Sequence, residues 1–127
     1  MMNETGIQRL IQTECTSKTI RLWRNTQGQA WVGNVTHCAN GDVLIKNPVR
    51  ITFGLGVGSS DLIGLKSIII RPEMVGMTKA IFAGIEVKSA TGRVTDEQDS
   101  YIKMLWSMGA LAGVARSVED ARRILQD

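Results

Sequence analysis

A glutamate and a lysine sit two residues apart inside one of the most apolar stretches of the chain, Ile81-Phe-Ala-Gly-Ile-Glu86-Val-Lys88. Side chains alternate along a strand, so Gly84, Glu86 and Lys88 face one way while Ile85 and Val87 face the other. Burying either charge alone costs on the order of several kcal/mol, so each needs a partner or a metal ion unless the pair lies on a half-solvated edge. Asp61 bears on that choice. It heads the other strongly apolar segment, directly after the loop Gly54-Leu-Gly-Val-Gly-Ser-Ser60. If the two segments are neighbouring strands, Asp61 and Glu86 converge, and two close carboxylates repel unless a cation lies between them. Oxygen ligands with water in the open positions suit Mg²⁺ or Mn²⁺. Lys88, one strand step further on the same face, can hold a water or a non-bridging phosphate oxygen. An aspartate after Gly-Ser-Ser is also an ordinary residue for opening a strand.

Two further polar residues are aimed by helical spacing. Gln98, Tyr101 and Leu105 fall at i, i+3 and i+7, which puts Gln98 on the face that docks on a sheet. Gln98 is also the third helical residue after Thr95, a capping-box position, and the two roles are compatible. Glu4, Ile7 and Ile11 share the same spacing, which turns Glu4 inward. A favourable first-turn charge at the helix N-terminus is the competing reading.

The elements that must hold these residues follow from the pattern. Asn3 is a good cap for a first helix whose apolar face fades near Thr16. Residues 19–37 alternate around Asn25-Thr26-Gln27-Gly28 and read as a hairpin. Residues 42–46 and 50–53 are two short strands bracketing Asn47-Pro48. Residues 61–70 and 79–88, rich in Ile and Val, read as strands covered on both faces. Thr95 opens a second helix that stops at Gly109; residues 111–116 form a strand, and Ser117 caps a last helix. The expected fold is α/β: one domain over residues 1–127 with a central mixed β-sheet flanked by helices.

Composition sets outer limits. The chain has 127 residues, 43% hydrophobic and 21% charged, with a formal net charge of +3. That is a globular balance, and its apolar runs are broken well before the roughly 18 residues of a membrane span. The mild basic excess permits a polyanionic partner without demanding one. With only two cysteines, Cys15 and Cys38, and no basic-then-apolar leader, the expectation is a reduced, cytoplasmic protein.

The ordered series Asp61, Glu86-Val87-Lys88 and Gln98, with a helical Glu4 in front, resembles the PD-(D/E)XK nucleases. More narrowly it is similar to the virus-type replication-repair nuclease (VRR-Nuc) domain in its minimal, single-domain, phage-like form. The supporting strings are Trp23-Arg24-Asn25, the loop from Gly54 through Asp61 to Gly64, Ile85-Glu-Val-Lys88, Gly92-Arg93 leading to Glu97-Gln98, and Gly109 to Arg116. The likeness runs from Glu4 to Leu125. Ser60 stands where the superfamily pattern has proline, a position that shapes backbone and supplies no ligand.

The resemblance implies a restriction-endonuclease-like core in the order α-β-β-β-α-β-α and a metal-dependent DNA endonuclease, a hydrolase of DNA repair. Asp61, Glu86 and the Val87 backbone carbonyl would hold Mg²⁺ or Mn²⁺, which acidifies bound water and neutralises charge on the phosphate. Lys88 would orient the water or stabilise phosphate oxygens, Gln98 would steady the cluster, and Glu4 would complete an outer shell or a second site. Arg24 and Asn25 match the family string as DNA contacts, and the Ser59 and Ser60 hydroxyls would touch the backbone. Small members resemble Holliday-junction resolvases, which implies a homodimer on branched or four-way DNA, in a host-cell cytoplasm if phage-encoded. The rival reading is a non-catalytic nucleic-acid-binding module that kept the fold.

Other motifs carry less. Gly54-x-Gly56-x-Gly58 lacks the following helix of a dinucleotide site, and no Gly-Lys-Ser/Thr follows, so no organic cofactor is expected. His37, Cys38 and distant Cys15 lack zinc spacing. Arg24, Lys46, Arg50, Arg71, Lys79, Arg93 and Arg116 are dispersed, each a surface residue by default and together able to line a phosphate groove. Trp23 and Trp31 read as core or dimer contact rather than as base-stacking platforms.

Overall fold

The computed structural model describes residues 3–126. The helices begin where side chains satisfy the first free backbone N–H groups. Asn3 Oδ1 accepts from Gly6 N–H (2.8 Å) and starts α1, Glu4–Cys15. Thr95 starts α2, Asp96–Ser107, through a complete capping box, and Ser117 starts α3, Val118–Leu125. The strands are β1 (Ile20–Arg24), β2 (Gly28–His37), β3 (Val43–Phe53), β4 (Leu62–Lys66), β5 (Ala83–Val87) and β6 (Leu111–Ala115). The protein is thus mixed α/β, with five strands before α2 where the order implied by the resemblance has three.

Among the described residues the strands make three two-stranded sheets, β1–β4, β2–β3 and β5–β6, where the sequence suggested one central sheet. The expected hairpin over residues 19–37 also pairs differently. β2 turns back on β3 through Cys38–Asp42, closed by Cys38 N–H to the Asp42 carbonyl (2.8 Å). Asn40-Gly41 supplies the left-handed backbone of that turn, with Gly41 at φ 91°. The two short strands either side of Asn47-Pro48 are one strand with a bulge. Val32 pairs with Val49 and Asn34 with Lys46, so Asn47 (φ 51°) and Pro48 face the single residue Gly33. The bulge lets the ladder continue past a proline that cannot donate.

The chain divides into two compact units. One contains α1, β2, β3 and the loop leading to Asp61. The other contains β5, α2, β6 and α3 and holds the buried hydrophobic residues Ile102, Leu105, Ala112 and Ala115. There β5 and β6 run parallel, in register from Ala83↔Leu111 to Val87↔Ala115, joined by α2 as a β-α-β crossover. Small residues on the strands let helices approach: a Cβ on Gly84 would lie 2.7 Å from Leu105 Cδ1 of α2, and one on Gly113 2.9 Å from Ile124 of α3. Because paired residues share a face, α2 covers the Gly84/Glu86 face and α3 covers the Ile85/Gly113 face. The apolar run continues beyond β4, but Ile68, Ile69 and Ile70 are exposed and not in a strand. Arg71 is extended before Pro72, which begins a 3-10 turn over Pro72–Met74, so the ladder cannot propagate through this segment.

Candidate active site

Glu86 lies on the α2 face of β5, as the alternation requires. Its Oε1 accepts a hydrogen bond from Gln98 Nε2 at 2.7 Å and lies 3.3 Å from Lys88 Nζ. Both contacts fall on the same oxygen, and among the described residues Oε2 takes no hydrogen bond. The two charged side chains are partly withdrawn from water, Glu86 at 31% and Lys88 at 19% relative exposure. Lys88 is fixed at its backbone as well, since its N–H donates to the Ala115 carbonyl (3.1 Å) and extends the pairing past β5.

Gln98 performs both functions that its position allows. Its Oε1 accepts from Thr95 N–H (3.0 Å), its own N–H donates to Thr95 Oγ1 (3.1 Å), and its amide nitrogen faces Glu86. The cap therefore orients the amide: with the oxygen committed to Thr95, the NH₂ group must point at the carboxylate. Beside this pair lies a pocket of about 280 Å³, bordered by Gly84, Glu86, Glu97, Gln98, Tyr101 and Ile102. Sequence spacing had placed Tyr101 only on the apolar stripe of the helix. It borders the same pocket as Glu86 because α2 packs closely on β5 at Gly84.

Asp61 and its loop belong to the other unit. Asp61 is exposed, immediately ahead of β4, and its carbonyl accepts from Asn25 N–H at 2.9 Å. Asn25 is only 9% exposed and follows the last residue of β1. Its Nδ2 donates to Ser59 Oγ and to the Ser60 carbonyl, both at 2.8 Å, while its Oδ1 accepts from Leu55 N–H at 3.1 Å. Ser59 Oγ in turn donates to the Gly56 carbonyl (2.7 Å). Of the four residues expected to touch DNA, Asn25 and Ser59 thus turn their polar groups into the loop. Ser60 is exposed, and Arg24 is exposed with Nη2 3.5 Å from Gln8 Oε1. Glu4 is exposed in the first turn of α1, where its charge suits the helix N-terminus.

Within the unit that holds β5, the Glu86 carboxylate and the Val87 carbonyl are oxygen donors of the kind a hard cation takes, while the Asp61 carboxylate belongs to the other unit and β4 pairs with β1 rather than with β5. Among the described residues no three His, Cys, Asp or Glu side chains form a group able to hold an ion. A cation at Glu86 would draw on carboxylate, backbone carbonyl and water, a mixture that Mg²⁺ tolerates because it keeps several waters. The donor chemistry therefore fits a divalent ion of the Mg²⁺ or Mn²⁺ kind and does not fit zinc.

A family model, that of the VRR-NUC domain, matches residues 3–119 of the chain. No curated protein and no solved structure matches it.

Proposed function

The chain belongs to the VRR-NUC domain family, and from that premise we propose that it is a divalent-metal-dependent DNA endonuclease that cuts structured or branched DNA. Membership implies a nuclease-type, hydrolytic function with DNA as substrate, and the family generally uses divalent metal ions. The observation that carries the specific reading is the Gln98–Glu86–Lys88 arrangement. It is an oriented carboxylate with one free oxygen, a cation beside it, and a helix cap that fixes the rotamer. Within a restriction-endonuclease-like core, Asp61, Glu86 and the Val87 carbonyl would hold Mg²⁺ or Mn²⁺.

When bound, such an ion acidifies coordinated water and offsets negative charge on the phosphate. The chain's own residues do the remaining work. Glu86 is held in one rotamer by Gln98, which removes an ordering cost from ligand binding. Lys88 presents an ammonium to a phosphate oxygen or to the attacking water. Arg24 is an exposed contact for the DNA backbone.

The β2–β3 hairpin supports a homodimer. Over ten residues it extends about 33 Å. One face carries Val32, Leu44, Val49 and Ile51, and the other carries Trp31, Val35 and Val43, all exposed. A two-stranded hairpin is at best marginally stable alone, and apolar residues on both faces call for cover. A second copy would give two sites for the two opposed strands of a four-way junction. Among the described residues no helix is long and apolar enough to cross a membrane. Cys15 and Cys38 are free and exposed, which suits a reducing cytoplasm.

Linear, flap and four-way DNA incubated with Mg²⁺, with Mn²⁺ and with chelator, beside a Glu86→Ala protein, test the proposal on one gel series. Cleavage of the branched substrate that requires the ion and Glu86 is the expected result. Failure of every substrate with either ion would instead favour a DNA-binding module without catalysis.

A further inference from the structure

The loop before Asp61 is built from residues that hold no shape of their own. Gly54, Gly56 and Gly58 all have positive φ, at 89°, 111° and 85°, conformations that cost glycine little but leave the unfolded loop many alternatives. The loop also lacks packing to confine it, because Leu55 and Val57 are exposed. What fixes it is one buried side chain. Asn25 commits its backbone N–H and its whole side-chain amide: N–H to the Asp61 carbonyl, Nδ2 to Ser59 Oγ and the Ser60 carbonyl, and Oδ1 to Leu55 N–H. Gln27 Nε2 adds a longer bond to the Ser59 carbonyl (3.3 Å).

We propose that Asn25 is a positioning residue, which sets the backbone of residues 55–61 so that the Asp61 carboxylate is presented in one place for the divalent ion; the inference rests on the reading of Asp61 as a ligand. The chemistry selects this residue type. Two donors and one acceptor on a short side chain are needed, so aspartate lacks the donors and serine lacks both reach and valence. The bonds run to the residues flanking Asp61 on its N-terminal side and to its own carbonyl, so their loss frees the ligand without removing it. This assigns Asn25 a role distinct from a phosphate contact, for which it has no donor to spare. Hydrogen-bond partners that orient a metal's ligands are worth about 10–100-fold in metal affinity when removed.

The test compares the parent with Asn25→Ala, Asn25→Asp and Ser59→Ala. The readouts are Mn²⁺ affinity from the free-ion paramagnetic resonance signal, amide hydrogen exchange in metal-free protein, and KM for DNA over a range of salt. Asn25→Ala should weaken Mn²⁺ binding about tenfold and speed exchange at Leu55 and Asp61, while KM and its salt dependence stay unchanged. Asn25→Asp should do the same, and Ser59→Ala, which keeps most of the network, should show a smaller change in the same direction. Unchanged Mn²⁺ affinity with a raised, salt-sensitive KM would overturn the proposal in favour of a phosphate contact. If Asn25→Ala does not fold, the milder Ser59→Ala decides by the same three readouts. An Asp61→Asn control separates the layers. Mn²⁺ affinity that survives Asp61→Asn refutes the ligand assignment itself, whereas affinity lost in Asp61→Asn but kept in Asn25→Ala refutes only the positioning role.

Discussion

Gln98→Glu isolates the contact with Glu86 from the helix cap. Glutamate at the third helical position keeps the acceptor that Thr95 N–H uses and adds a charge that the helix N-terminus favours, by about 0.5 kcal/mol. It removes the donor 2.7 Å from Glu86 Oε1 and puts a second carboxylate there. A hydrogen bond to a charged group is worth about 1.5–3 kcal/mol, and the lower end applies because Glu86 is 31% exposed. Repulsion between two carboxylates at 4 Å ranges from about 1 kcal/mol in water to about 4 kcal/mol near a protein surface. Lys88, 3.3 Å from Glu86, offsets part of it, leaving about 1 kcal/mol. The net loss is about 2 kcal/mol, or a fall in Tm of about 6–10 °C for a chain of this length. Adding Glu86→Gln reverses the polarity of the bond, with the new amide donating to the new carboxylate. The double variant should recover about 2 kcal/mol relative to the sum of the singles, measured by urea denaturation in chelator, while cleavage stays abolished. Additivity within about 0.5 kcal/mol would mean that the two side chains do not interact, and the site as described would be wrong.

Other outcomes follow from the same geometry. Gly113→Ala puts a methyl 2.9 Å from the Ile124 side chain on a buried strand, so that side chain must move, and α3 with it where the rotamer cannot. A loss of about 1–3 kcal/mol is expected in denaturant, and no change would show that the helix is not seated there. Val49→Glu places a charge on an exposed apolar face of the hairpin, at a residue 60% exposed, so it should convert a dimer to a monomer in sedimentation without unfolding the chain. A parent that is already monomeric would refute the pairing. The Asp120 carboxyl is held below the usual 3.8, chiefly by the Arg116 N–H, with smaller help from Ser117 Oγ and the Arg123 and Arg116 guanidiniums against a raising effect of burial. A carboxylate depressed in the folded state adds stability above its unfolded pKa and loses it as pH falls through the folded value. The parent should therefore lose stability below about pH 4 more steeply than Asp120→Asn in an acid titration followed by circular dichroism. Parallel curves would contradict the assignment.

Local chemistry made parts of this structure legible from residue types alone. Asn3, Thr95 and Ser117 cap the helices as expected, because capping needs only a short polar side chain and its next three residues. The common face of Glu86, Lys88 and Gln98 was readable too, since it follows from strand and helix periods. Pairing partners were not, because a strand's hydrophobic pattern does not say which strand it meets. The alternation around Asn25 to Gly28 suggested a hairpin, but Asn40-Gly41 carried the stronger turn signal and joins two strands of similar length. Residues 67–70 are as apolar as any strand yet lie outside the ladder, since strand formation needs a partner and the chain turns at Pro72. Asn25 reads as a DNA contact only because it matches the family string beside Arg24. Its burial arises from a loop that returns thirty and more positions later, a separation that no local pattern encodes.

The central proposal is that Asp61 and Glu86 serve one divalent ion. Amide resonances recorded with substoichiometric Mn²⁺ test it most directly, because the ion broadens only nuclei close to where it binds. The account predicts that signals of residues 61–62 and 85–88 fade together at the lowest additions, and that Glu86→Gln abolishes both effects. Broadening confined to one of the two segments, or centred on another acidic region such as Glu119 and Asp120, would contradict it.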